Sequence, residues 1–101
     1  MNTKTKPIHE FIEELQNLLP KLQEQFQVQS LEVFGSYVRG DETADSDLDL
    51  LVTFIESPSL FKFVELENYL GDKLGVKVDL VMKESLKPAI GKRILAEAQP
   101  I

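Results

Sequence analysis

Near the start of the chain, apolar residues recur at intervals of three and four: Ile8, Phe11, Ile12, Leu15, Leu18, Leu19, Leu22 and Phe26. Such spacing draws a single apolar stripe along a helix. Pro20 interrupts the stripe, and a proline in a helix interior costs about 3 kcal/mol. The pattern therefore predicts a first helix over residues 8–18 and a short second one starting near Pro20 at its first turn. Over residues 30–34 the pattern changes to alternation, with Leu31 and Val33 on one side, which predicts a short strand ended by Gly35. Residues 36–39 predict one helical turn closed by Gly40, and residues 41–46 a polar loop. A second strand is predicted over 47–54, almost continuously apolar from Leu48 and so in need of cover on both faces. After the break at Pro58, Leu60, Phe61, Phe63, Val64, Leu66, Leu70 and Leu74 predict a helix capped by Gly75. Residues 76–82 predict a third strand and 85–88 a turn. Ile90, Ile94, Leu95 and Ala98 predict a weak last helix. The order α-α-β-α-β-α-β-α implies one α+β domain over residues 1–101, a small three- to four-stranded mixed sheet flanked by helices.

Length and composition bound the options. A chain of 101 residues builds one domain with a real but small core. The polar start, residues 1–6, is not followed by the apolar stretch of a secretory signal. No apolar run approaches the roughly 20 residues of a membrane span. Without cysteine there are no disulfides and no thiolate zinc sites. The expectation is a cytoplasmic protein with no membrane association. A net charge of −6 makes a poor grip for a nucleic-acid backbone, so no direct nucleic-acid binding is expected. A nucleotide remains open, because metal ions can carry the positive charge the protein lacks. The same acidity suits docking onto a basic protein partner.

The candidate chemistry lies in the acids of the strands. Side chains two apart on a strand share a face, so Asp47 and Asp49 are expected to point the same way with Cα atoms roughly 6.6 Å apart. Asp79 stands in an otherwise apolar strand, where an unpaired charge is costly. If the second and third strands are neighbours, Asp79 lies beside Asp47 and Asp49. Three carboxylates on one face repel unless cations sit between them, and Mg²⁺ favours such oxygen-only sites. Two-metal phosphoryl or nucleotidyl transfer uses this kind of arrangement. Against it stands the plainer reading of a solvated loop acid at Asp47 and an exposed edge-strand acid at Asp79. Upstream, Gly35 lets a backbone approach a ligand closely. Ser36 adds a hydroxyl at the start of the following turn, where free N–H groups suit phosphate oxygens. Arg39, one helical turn on, is placed to pair with a phosphate. His9, the only histidine, reads as a surface residue. Tyr37 reads as core packing rather than a base-stacking ring.

The run Gly35-Ser36-x-x-Arg39-Gly40, then Ser46-Asp47-x-Asp49-Leu50-Leu51-Val52, then Val78-Asp79-Leu80-Val81 resembles the minimal nucleotidyltransferases of the DNA polymerase β-like superfamily. The likeness extends to Lys87-Pro88 and the closing Ile-x-x-Glu-Ala segment. It implies a polymerase β palm-like core in which Gly35 and Ser36 hold a nucleoside triphosphate. It further implies that Asp47 and Asp49 ligate Mg²⁺, two ions in all, with Asp79 completing the metal site and helping to activate the attacking hydroxyl. Many proteins of this kind are antitoxins that transfer AMP from ATP to a tyrosine on a partner HEPN-domain ribonuclease toxin. The rival expectations are a non-catalytic antitoxin that neutralises a basic toxin by binding alone, and a nucleotide-sensing subunit.

Overall fold

A computed structural model describes residues 6–101 of the chain. Most of the polar start, on which the argument against a secretory signal rests, lies outside the described residues. The elements run α1 (Ile8–Phe26), β1 (Val28–Phe34), α2 (Ser36–Arg39), β2 (Leu48–Phe54), α3 (Leu60–Leu74), β3 (Val78–Met82), α4 (Pro88–Glu97) and β4 (Gln99–Pro100). A 3₁₀ turn, Lys83–Ser85, joins β3 to the segment before α4. The four strands form one mixed sheet in the order β3-β2-β1-β4. The inner pair β1–β2 is antiparallel and β2–β3 is parallel. A parallel neighbour needs a crossover connection, and α3 supplies it.

The alternation read from sequence sorts the sheet into two faces. Leu31, Val33, Leu48, Leu50, Val52, Val78 and Leu80 are buried in one cluster with Phe11, Leu15, Leu22 and Phe26 of α1 and Leu66, Leu70 and Leu74 of α3. The opposite face carries Phe34, Asp49 and Asp79, which are register partners across β1, β2 and β3. Leu51, on that second face, is 1% exposed, so β2 is covered on both sides as its apolar run requires. Ser59 caps α3 by accepting from the Lys62 N–H at 3.1 Å, and Gly75 closes it in the left-handed region at φ 70°.

Two expectations need correction, the break at Pro20 and the start of the second strand. The predicted break at Pro20 does not occur, and α1 runs unbroken through it. The stripe continues in phase across the proline, so one continuous helix buries Phe11, Leu15, Leu22 and Phe26 on the same core. Each such side chain is worth about 1.5–3 kcal/mol, enough to outweigh one lost hydrogen bond. The fourth strand, Gln99–Pro100, is too short to read from alternation and exists because it pairs with Glu32 and Val33 of β1. The second strand opens at Leu48, leaving Asp47 in the preceding loop. Among the described residues no helix is long and apolar enough to cross a membrane.

Because Pro20 is exposed and contributes only its backbone penalty, Pro20→Ala is expected to raise stability by about 2 kcal/mol in urea denaturation. A loss of stability would show that the proline is fitted to its place.

Candidate active site

Gly35 leaves β1 and turns the chain into α2 with φ 85° and ψ −153°, a conformation open in practice only to glycine. The turn is crowded as well as strained: a Cβ on Gly35 would overlap the carboxylate of Asp49. The glycine thus makes the room in which Asp49 sits. Asp49 in turn is fixed by its place in β2, opposite Phe34 of β1 and Asp79 of β3. In a parallel pair, register partners share a face, so Asp49 and Asp79 lie side by side.

Three effects force the Asp49 carboxyl towards its neutral form. Burial is the largest, followed by repulsion from Asp79 and from Asp47. The Arg39 guanidinium opposes them, and the group is pushed up to about 6. Asp47 is half-buried just ahead of β2. A tight polar turn precedes it, in which the Ser46 hydroxyl accepts from the Thr43 N–H at 2.8 Å and Ser46 N–H donates to the Thr43 carbonyl at 3.1 Å. Among the described residues no three His, Asp or Glu side chains are already drawn into one ligand cluster. Asp49 and Asp79 meet as a pair, with Asp47 acting on Asp49 through space. Carboxylate oxygens crowded so that one of them is harder to ionise form a set that suits a hard divalent cation such as Mg²⁺, and the residues fit such an ion.

The other residues singled out from sequence divide. The Ser36 hydroxyl makes no hydrogen bond among the described residues. Arg39 is engaged: its Nη1 lies 3.2 Å from Glu97 Oε2, and its Nε 3.4 Å from Asp41 Oδ2. The Gly35 N–H is also taken, donating to Glu97 Oε2 at 2.7 Å. Tyr37 is buried edge-on against Phe11, with ring centroids 5.3 Å apart, which settles it as core. Its hydroxyl is held above its ordinary pKa by burial first, then by Glu42 and Asp47. His9 is exposed. Glu97 and Arg93 carried no assigned role in the sequence reading. They line, with Gly35, Arg39 and Asp49, a cavity of about 230 Å³ floored by Phe34, Ile90 and Ile94. The spacing of Ile90, Arg93, Ile94 and Glu97 marks one face of a helix and was the available signal.

A family model described as a nucleotidyltransferase domain matches residues 15–101. The protein adenylyltransferase MntA of Thermococcus cleftensis is 53% identical over 90 residues, which span 85% of this chain and 91% of that protein. A solved structure of a minimal nucleotidyltransferase superimposes with a TM-score of 0.78 at 32% identity, covering 99% of this chain and all of the other. The MNT antitoxin bound to a tri-AMPylated HEPN toxin of Shewanella oneidensis has the same fold, with a TM-score of 0.58 at 22% identity over 91% of this chain and 66% of that one.

The Asp49 charge is held at a cost, and the sign of its pH dependence follows. A carboxyl whose folded pKa rises from 3.8 to about 6 favours the fold fully below its unfolded value, and the benefit is lost as pH climbs through about 6. The rise corresponds to about 3 kcal/mol at full burial and nearer 1 kcal/mol for this half-buried group. Without divalent ions, Asp49→Asn is therefore expected to be more stable than the parent by about 1 kcal/mol from about pH 7 upward, with no difference near pH 4. Thermal melts across that range measure it, and a pH-independent difference would rule out the charge as its cause.

Proposed function

The chain belongs to the nucleotidyltransferase domain family, and from that premise we propose that it transfers AMP from ATP to a tyrosine hydroxyl of a partner toxin and so silences it. The carrying observation is the abutment of Asp49 and Asp79 directly beside the Gly35 bend. The identity to a protein adenylyltransferase over most of both chains supports a protein acceptor. The shared fold with an antitoxin of an AMPylated HEPN toxin supports the class of partner.

In this reading Asp47, Asp49 and Asp79 hold the divalent cations, two Mg²⁺ ions. When bound, such ions supply positive charge to the triphosphate and to the leaving group. The chain's own part is placement. Gly35 contributes the absence of a side chain, which lets the phosphates come close to Asp49. Ser36 offers its free hydroxyl to a phosphate oxygen, and Arg39 does the same on leaving its solvent-exposed ion pairs, which are weak. Asp79 is exposed on the outer strand β3, on the side from which an acceptor can arrive. It orients the acceptor hydroxyl and takes its proton as the oxygen attacks the α-phosphorus. One P–O bond forms there, the bond to the β-phosphate oxygen breaks, and pyrophosphate leaves. The cavity of about 230 Å³ is below the 300–1,000 Å³ of usual small-molecule sites. It accommodates phosphate but not a whole nucleotide, so the partner protein completes the site around base and acceptor.

The test is to incubate the full chain with Mg²⁺–ATP and a HEPN-domain partner and weigh the partner by mass spectrometry. The expected product carries one or more AMP units on tyrosine. EDTA abolishes the reaction, and Asp47→Asn with Asp49→Asn slows it by at least about a hundredfold. An unmodified partner, or one modified equally by the double variant, overturns the proposal. A double variant that still neutralises the partner in cells would instead establish neutralisation by binding alone.

A further inference from the structure

The Gly35 bend is tied to a residue far away in the chain. Its N–H donates to Glu97 Oε2 at 2.7 Å, a short bond to a charged acceptor and so among the stronger hydrogen bonds a protein makes. The same carboxylate receives Arg39 Nη1 at 3.2 Å and 3.3 Å from its two oxygens. Glu97 thereby clamps both ends of α2, the glycine before it and the arginine at its close. It is the last residue of α4, a helix whose only buried member is Gly91 and whose Ile90 and Leu95 remain exposed. Apolar packing alone does not account for where this helix end sits. Directly after it, β4 pairs with β1, which holds the Glu97 backbone in place at the sheet edge.

We infer that Glu97 is a positioning residue: by fixing the Gly35 bend it sets the space into which the Asp49 carboxylate fits. The chain of contacts is short. Glu97 holds the Gly35 N–H, and Gly35 lies so close to Asp49 that no side chain fits between them. A bend released from Glu97 swings against or away from Asp49, and displacements on the scale of an ångström in a reacting constellation cost on the order of a hundredfold in rate. The Gly35 N–H, being occupied, is not a phosphate donor. This inference rests on the assignment of Asp49 to the transfer reaction.

The experiment compares Glu97→Ala and Glu97→Gln in the full chain with its partner, reading two quantities. The first is exchange protection of the Gly35 amide by NMR, which needs no activity. The second is the split between kcat and KM for Mg²⁺–ATP. In Glu97→Ala the Gly35 amide loses protection, kcat falls roughly ten- to a hundredfold, and KM for ATP stays within about threefold. Glu97→Gln, whose amide oxygen still accepts from Gly35, keeps the protection and recovers most of kcat, a rescue that a role confined to anchoring α4 by charge would not give. Retained Gly35 protection in Glu97→Ala overturns the inference. So does an undiminished kcat, or an ATP KM that drops because the carboxylate had been competing with phosphate. Should Glu97→Ala not fold, a Glu97→Gln variant with lost protection or unrecovered kcat overturns it equally. If the parent protein transfers no AMP, the proposed function fails while the amide measurement still decides whether Glu97 holds the bend.

Discussion

Two carboxyls placed side by side on neighbouring parallel strands govern this structure. Asp49 and Asp79 are register partners, so their proximity is set by the β2–β3 ladder and cannot be relaxed by a rotamer change alone. The repulsion is balanced from the other face of the same strands. Leu48, Leu50, Val52, Val78 and Leu80 alternate with the acids and are buried against α1 and α3. Several side chains, each worth about 1.5–3 kcal/mol on burial, oppose an electrostatic cost nearer 1 kcal/mol. A slip of one residue in the ladder would put the acids in the core. The core therefore enforces the juxtaposition, and the strain stays local.

The two faces divide the labour of the fold. Helices α1 and α3 close one face completely. The other carries the acids and the small cavity that α4 helps to line. The α3 crossover makes β2 and β3 parallel, so the acid-bearing starts of both strands lie at the same end of the sheet. Gly35, at the end of the antiparallel β1, reaches that same end. Connection order thus gathers residues from three separate stretches of chain, and strand direction decides which side chains meet.

Much of this was legible because local chemistry and global topology agree. An acid in an apolar strand, as at Asp79, signals a special face, and a glycine between strand and turn signals a bend with little room, as at Gly35, where a Cβ would meet Asp49. What escaped has physical reasons. At Pro20 a propensity rule lost to continuity of the buried stripe, since Leu22 and Phe26 keep the phase set by Phe11 and Leu15. Asp47 fell outside β2 because the Thr43–Ser46 turn occupies the chain up to the residue before it. Strand β4 is defined by its partner rather than by its own pattern. Arg39, read from sequence as placed to pair with a phosphate, is paired here with Glu97. That pairing crosses most of the chain, and local spacing carries no information about it.

Charge at the site constrains how any reaction here must be organised. Asp49 and Glu97 flank Gly35, and Asp79 and Asp47 act on Asp49, while Arg39 and Arg93 are the guanidiniums lining the cavity and Arg39 is already engaged by Glu97 and Asp41. A triphosphate approaching the protein alone meets net negative charge, in a chain whose overall charge is −6. Coulomb repulsion at separations of a few ångströms is strong wherever water is displaced, so nucleotide and cation have to arrive together. Under the proposed reading the acids do more than hold the ion. They make nucleotide binding conditional on it.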